Sequence, residues 1–170
     1  MFKRIAIVAS VVLGVALHAQ AAVTSTAYNQ FRSSLGAGGL NLTSDTIIAI
    51  PLSASYTPTM TMAGQKMVSD VTAYEVTTCG GARLTLASKT WTESGASFIF
   101  KSTSPLVWNA SGCTLNIKYI AFAKSTGADS TSPLLLLINV DNTSGSAQFT
   151  ATSGGNITIT MDATYGWLWI

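Results

Sequence analysis

Past Gly36 the chain does not repeat its apolar residues at helical spacing. Its apolar stretches are short, β-branched or aromatic, and parted by turn residues, which is the signature of strands. Residues 46–52 (TIIAIPL) and 134–140 (LLLLINV) are apolar almost end to end, as strands covered on both faces are. Residues 82–91 alternate, with Leu84 and Leu86 inward and Arg83, Thr85 and Lys89 outward, and predict one half-buried strand. In residues 114–123, Leu115, Ile117, Tyr119 and Ala121 share a face. Asn116 and Lys118 begin the opposite face and Ile120 and Phe122 finish it, so this strand passes from an exposed to a buried environment. Residues 96–101 and 106–108 add short strands, and Ala147, Phe149 and Ala151 form a hairpin with Ile157, Ile159 and Met161 across residues 153–156. Residues 165–170 end on alternating apolar positions that pair into a sheet. Residues 53–65 read as a long loop and 68–76 as a loop or edge segment.

One helix is expected. In residues 27–35 (AYNQFRSSL), Tyr28, Phe31 and Leu35 stand at helical spacing behind Ser25 and Thr26, which can cap, and Gly36 stops the run. The expected fold is therefore all-β, an antiparallel β-sandwich of about eight strands with one short N-terminal helix, a closed barrel being the alternative. Residues 1–21 form a leader or arm and residues 22–170 a single β-sandwich domain.

Only 9% of the residues are charged, and 48% are hydrophobic. Two of the basic residues, Lys3 and Arg4, and the only histidine, His18, lie in the first twenty positions. Beyond residue 21, seven basic residues balance seven acidic ones without runs. That balance leaves no footprint for nucleic acid. A body without histidine also lacks the usual general base and the commonest metal ligand, so the expectation is a protein that is not an enzyme and takes no cofactor.

The first 21 residues have a basic start, an apolar stretch from Ile5 to Leu17, and Ala19-Gln20-Ala21 in the small-x-small pattern of a signal-peptidase site. Cleavage between Ala21 and Ala22 is one reading and retention as an apolar arm is the other. The apolar stretch falls short of the roughly 20 residues that span a bilayer, so contact with a membrane is expected only through an uncleaved leader. Two cysteines remain, Cys79 and Cys113, each beside glycine ahead of a β-like run, so that two adjacent strand starts would bring them together. In an oxidising compartment they are disulfide candidates, and in a reducing one two small buried side chains.

Other polar groups point to no chemistry. The acid pairs Asp70 with Glu75 and Asp129 with Asp141 lie in polar loop-like stretches and read as solvated carboxylates. Asp129, Asp141 and Asn142 lack the dense oxygen spacing of a calcium loop, so no metal is expected. Residues 36–39 are glycine-rich but follow a helix, where a phosphate loop precedes one. Asn-x-Ser/Thr triplets at Asn41, Asn109, Asn142 and Asn156 are expected by chance in a chain so rich in serine and threonine. Trp167 and Trp169, with Trp91, Trp108 and Tyr119, read either as core packing or as an exposed aromatic platform for a glycan or a partner protein.

The order of several segments resembles a family of small tailed-bacteriophage virion structural proteins. The opening AYNQFRSSL resembles that family's first helix, residues 41–58 (NLTSDTIIAIPLSASYTP) its next block, and Ser69-Asp70-Val71 with Tyr74-Glu75-Val76 its third. Gly80-Gly81-Ala82, Trp108, Lys118-Tyr119-Ile120-Ala121, the 133–140 run, Ile157-Thr158-Ile159 and residues 166–170 follow in the family's order, so that the likeness covers residues 27–170. It implies a non-enzymatic capsid decoration or fibre-type subunit that contacts copies of itself and other virion proteins, located in the virion. The alternative, which the leader suggests, is an exported bacterial surface module of adhesin type.

Overall fold

The computed structural model describes residues 9–10, 24–59, 64–95, 97–139, 148–161 and 166–169. They form a mostly β, antiparallel structure with one short N-terminal helix. In chain order the strands are β1 (Ala9–Ser10), β2 (Thr24–Ala27), β3 (Ile47–Leu52), β4 (Leu84–Thr85), β5 (Lys89–Ser94), β6 (Ser97–Ser102) and β7 (Leu106–Asn109). They continue with β8 (Leu115–Ile117), β9 (Tyr119–Lys124), β10 (Leu134–Asn139), β11 (Phe149–Ala151), β12 (Asn156–Ile159) and β13 (Leu168–Trp169). The helix, α1 (Asn29–Gly36), lies between β2 and β3, and two 3-10 turns (Val68–Asp70 and Thr72–Tyr74) lie between β3 and β4.

A five-stranded sheet in the order β2-β10-β9-β3-β4 is the centre of the fold. The two nearly unbroken apolar runs supply β3 and β10, and both faces of the sheet are covered. On one face Ile47, Ala49, Ile120, Phe122, Leu136 and Ile138 join a core with Phe31 of α1, Trp108, Leu115 and Trp167. On the other, Ile50, Leu52, Ala121, Ala123, Leu134 and Leu137 pack on Tyr28, Tyr56, Val68 and Val71. The segment expected as loop or edge is thus a cover: its 3-10 turns lay Val68 and Val71 on the sheet, both fully buried. A register shift between Leu134 and Leu136 marks a bulge in β10, and Leu135 and Leu136 enter the same core.

Smaller sheets, β1-β12-β7, β11-β8 and β13-β6-β5, complete the antiparallel structure. The predicted strand 82–91 is two strands in two sheets: β4 pairs with β3 and β5 with β6. The break falls at Ser88, whose φ of 46° turns the chain into the left-handed region. The predicted strand 114–123 also divides, at Lys118, whose amide donates to the Leu52 carbonyl while its side chain is buried rather than exposed. β8 and β9 thereby carry the chain from one sheet to another.

Two further expectations are corrected. Phe149–Ala151 and Asn156–Ile159 do not form a hairpin with each other, because β11 pairs with β8 and β12 with β7, and Ala147 lies outside the described residues. Two bent segments, β7–β8 and β11–β12, lie side by side and turn a corner together, with Gly154 N–H donating to Ala110 O and Ala110 N–H to Gly155 O across it. Ser25 and Thr26 are strand residues of β2 and do not cap α1, which begins after Tyr28 with no side-chain cap. The C-terminal expectation holds: Leu168 and Trp169 pair with Phe100 and Ile99. Among the described residues no helix is long and apolar enough to cross a membrane.

Candidate interaction surface

Each predicted site can be placed by building outward from the core. Cys79 and Cys113 form a disulfide with Cα atoms 5.1 Å apart. They are not at the starts of adjacent strands, since β4 lies beside β3 and β8 beside β11. The loop at Cys79 instead runs along the β7–β8 turn, where Ser111 N–H donates to Cys79 O at 3.1 Å. Gly80 makes that approach possible: with φ +87°, a Cβ there would collide with the Asn109 carbonyl oxygen. The bridge therefore staples the long 53–83 connection to the corner of the smaller sheets.

The aromatic platform does not form around Trp167. That side chain is fully buried, with Nε1 donating to Ser102 Oγ at 2.8 Å and its ring set edge-on to Phe122 at 5.2 Å. Trp108 is also core, donating from Nε1 to Ala82 O at 2.7 Å. A sequence that alternates apolar residues at its end is read equally well as core or platform, and here the indole N–H groups find buried acceptors. Trp169 pairs through its backbone with Ile99; its side chain lies outside the described residues. Half-buried Trp91 lines a depression of about 330 Å³ with Leu35, Leu40, Asn41, Leu42 and Thr43. Asn41 Oδ1 already accepts from the Thr43 and Ser44 amides and from Thr43 Oγ1, so this polar edge is spent on its own turn.

Four described carboxylates, Asp45, Asp70, Glu75 and Asp129, hold structure together. Asp70 accepts from the Lys66 and Met67 amides and stands apart from Glu75 as a chemical pair. Glu75 and Asp129 are not loose surface charges, because both grip Arg83: Nη2 reaches Glu75 Oε2 at 2.7 Å and Nη1 reaches Asp129 Oδ1 at 2.6 Å. This clamp ties the 3-10 cover to the β9–β10 loop and was invisible locally, its partners being 8 and 46 residues from Arg83. Asp45 accepts from Asn41 N–H at 2.7 Å and pairs with Lys124 Nζ at 2.9 Å. Asp141, Asn142 and the leader junction Ala21–Ala22 lie outside the described residues. Among the described residues no cluster of metal-ligating side chains occurs. Of the Asn-x-Ser/Thr triplets, Asn156 is half-buried inside strand β12, whereas Asn41 and Asn109 are exposed.

Hydrogen bonds to the Arg83 guanidinium hold the Asp129 carboxyl below the ordinary aspartate range. Partial burial opposes ionisation of Asp45, but the Asn41 amide and Lys124 outweigh it and lower its pKa. Depressed folded values contribute stability that is complete above an unfolded value of about 3.9 and lost as pH falls through the folded ones. Arg83→Met leaves the Glu75 side chain, 7% exposed, without its cation and is expected to cost roughly 2–3 kcal/mol at neutral pH. The deficit should narrow between about pH 5 and pH 2 as Asp129 protonates in both proteins. Guanidinium unfolding at both ends of that range tests this; a pH-independent deficit refutes the clamp.

Beneath the cover, Tyr56 Oη donates to Gln65 Oε1 at 2.6 Å, so the 2.7 Å contact between the two phenols has Tyr28 as donor. Burial raises the pKa of both phenols. Tyr28→Phe should cost about 1 kcal/mol, since Tyr56 keeps its acceptor, and Tyr56→Phe about 2, since it leaves the Tyr28 hydroxyl buried without one. Denaturant titration of the two variants checks the order.

β12 pairs with β7 along one side, from Asn156 opposite Asn109 to Ile159 opposite Leu106. Its other side holds β1, Ala9 opposite Ile159 and Ser10 opposite Thr158. Ile157 and Ile159 are buried and fasten β12, the middle strand of its sheet, to the core. Comparison with protein-family models, curated proteins and solved structures gives no match for this chain.

Proposed function

We propose that the chain is a non-enzymatic structural subunit of a tailed-phage-type virion, a decoration or fibre-type protein that works through contacts with its own copies and with other virion proteins. The observation that supports this reading best is where the resembling segments fall. Residues 27–35 cover the β2–α1 junction, 46–52 β3, 69–76 the 3-10 cover, 118–121 the start of β9, 133–140 β10 and 157–159 β12. These are the segments that bury the two faces of the central sheet, so the resemblance follows the framework rather than scattered surface positions. The Cys79–Cys113 bridge, which virion surfaces and exported proteins both keep, does not by itself separate this reading from an export route.

The same disulfide, taken with the secretory grammar of residues 1–21, favours the second reading, an exported surface module. Density-gradient fractionation of the producing culture, with intact-mass measurement of the chain, separates the two. Banding with nucleic-acid-containing particles supports the virion subunit. Absence from those fractions overturns it, and a mass that then begins at Ala22 assigns the chain to the export route.

A further inference from the structure

We infer that the outer edge of β5 is a self-pairing site, on which β5 of a second copy adds antiparallel about a two-fold axis through Trp91. The inference rests on the reading above of a subunit that contacts its own copies, and it names one such contact. β5 is the last strand of the β13-β6-β5 sheet, and no described strand lies beyond it. It has six residues, against four or fewer in every other strand that ends a sheet among the described residues. Its pairing with β6 runs from Lys89 opposite Ser102 to Ser94 opposite Ser97 without a shift of register, and it contains no proline or glycine. Natural sheets blunt their edges with short strands, prolines and bulges, and β5 has none of these. Its charges are of both signs, one near each end.

The backbone fixes which groups face outward. The Phe100 carbonyl accepts from the Trp167 amide at 2.8 Å, and the Ser102 amide donates to Met161 Sδ at 3.3 Å, so both turn away from β5. Trp91 opposite Phe100 and Lys89 opposite Ser102 are therefore non-hydrogen-bonded pairs of the ladder, and by alternation Glu93 opposite Phe98 is a third. At such positions the N–H and C=O point away from the paired strand, so Lys89, Trp91 and Glu93 direct theirs to the outer edge. No described group meets the backbone of Lys89 or Glu93 from that side.

Side chains then choose the register and the occupant. Lys89, Trp91 and Glu93 share one face, and the exposed Thr90 and Thr92 share the other. A two-fold axis at Trp91 sets outward groups against outward groups at all three positions and places Lys89 of each copy opposite Glu93 of the other. Opposite charges directly across an antiparallel pair stabilise it, and this register makes two such pairs. A shift of two residues toward either end makes neither. Among the described residues neither Lys89 nor Glu93 enters a salt bridge within its own chain. Half-buried Trp91 packs at the rim of the main core, and pairing lays the two indoles side by side on that face, removing apolar surface from water. The edge is thus complementary to itself, as an interface on a two-fold axis must be. One such edge is a small contact, so its pairing is weak in solution and gains strength from repetition on a symmetric particle.

Charge reversal tests the register. The full-length variants Glu93→Lys and Lys89→Glu each place like charges at both cross-strand pairs, and each is expected to self-associate about tenfold or more weakly than the native chain. Sedimentation equilibrium up to about 1 mM, the effective concentration that short tethering supplies, measures this. Mixed in equal amounts, the two variants restore opposite charges at both pairs and should form a heterodimer as strong as the native homodimer. The double variant Lys89→Glu/Glu93→Lys should pair with itself equally well. A merely structural role for either residue gives no such rescue. In the native protein, mixed from isotopically light and heavy chains, carbodiimide should couple Lys89 to Glu93 between copies. Within one strand the two are four residues and about 13 Å apart, beyond the reach of a zero-length coupling. A native chain that stays monomeric over the whole range overturns the inference. So does a dimer that the reversals leave unchanged or that mixing does not restore, and so does the absence of a light–heavy 89–93 product. Particle banding without the 89–93 link would leave the virion reading standing and remove this contact; the link and the charge rescue in a chain absent from particles would do the reverse.

Discussion

Replacing Cys79 and Cys113 together by serine is expected to lower the unfolding midpoint by roughly 8–16 °C. The half-cystines are 34 residues apart, and opening a loop of that size frees about 4 kcal/mol of chain entropy in the unfolded state. In a domain of this length each kcal/mol corresponds to roughly 2–4 °C. The folded side of the balance adds to the effect. The bridge holds a segment with two successive positive-φ residues, Cys79 at 56° and Gly80 at 87°, against the β7–β8 turn, where a single backbone hydrogen bond from Ser111 also meets it. Calorimetry of the native and the double-serine protein gives the shift directly, and the native protein scanned in reductant should reproduce it. A shift below about 2 °C would mean that the packing of Gly80 on Asn109 fixes the corner without the bond.

The parts of this fold that were legible in the sequence are those in which residue type decides burial without help from distant partners. Apolar runs at 46–52 and 134–140 have polar residues only near their ends, Thr46 and Asn139, so they had to become the two-faced strands β3 and β10. The pairing of Cys79 with Cys113 was legible as a possibility, though for the wrong reason: the loop lies along a turn rather than at a neighbouring strand start. What escaped was set by tertiary context. Lys118 alternates like an exposed strand residue, yet it sits where β8 bends into β9 and is covered. The division of 82–91 depends on a left-handed Ser88, a conformation few serines adopt and none announces. The mutual pairing of β7 with β12 and β8 with β11 is a matter of which strands meet, and the short segments match either arrangement equally well. The N-terminal apolar stretch shared this limit. It was visible as leader or arm, but that it meets β12 follows only from the register of Ala9 and Ser10 on that strand.

Trp167→Ala is expected to cost about 3–5 kcal/mol, near the whole stability margin of some domains, and to act by separating two sheets rather than by leaving a local hole. Trp167 joins them through four contacts. Its amide donates to Phe100 O at 2.8 Å on β6, its carbonyl accepts from Ser25 Oγ at 3.1 Å on β2, its indole N–H donates to Ser102 Oγ, and its ring meets Phe122 of β9. Gly166 sets up this arrangement, for at φ +66° a Cβ would collide with the Phe100 carbonyl oxygen. Truncation removes the indole, leaves Ser102 Oγ without its donor and bares Phe122, whereas Trp167→Phe keeps a ring and loses only the indole hydrogen bond and some volume. The phenylalanine variant should therefore retain more than half of the lost stability. Denaturant unfolding of the two variants measures the difference, and hydrogen exchange shows where it acts. Amides of β6 and β13 should lose protection in Trp167→Ala at denaturant concentrations that leave β9 and β10 protected. If all four strands lose protection together, the C-terminal segment is part of the central cooperative unit rather than a latch upon it.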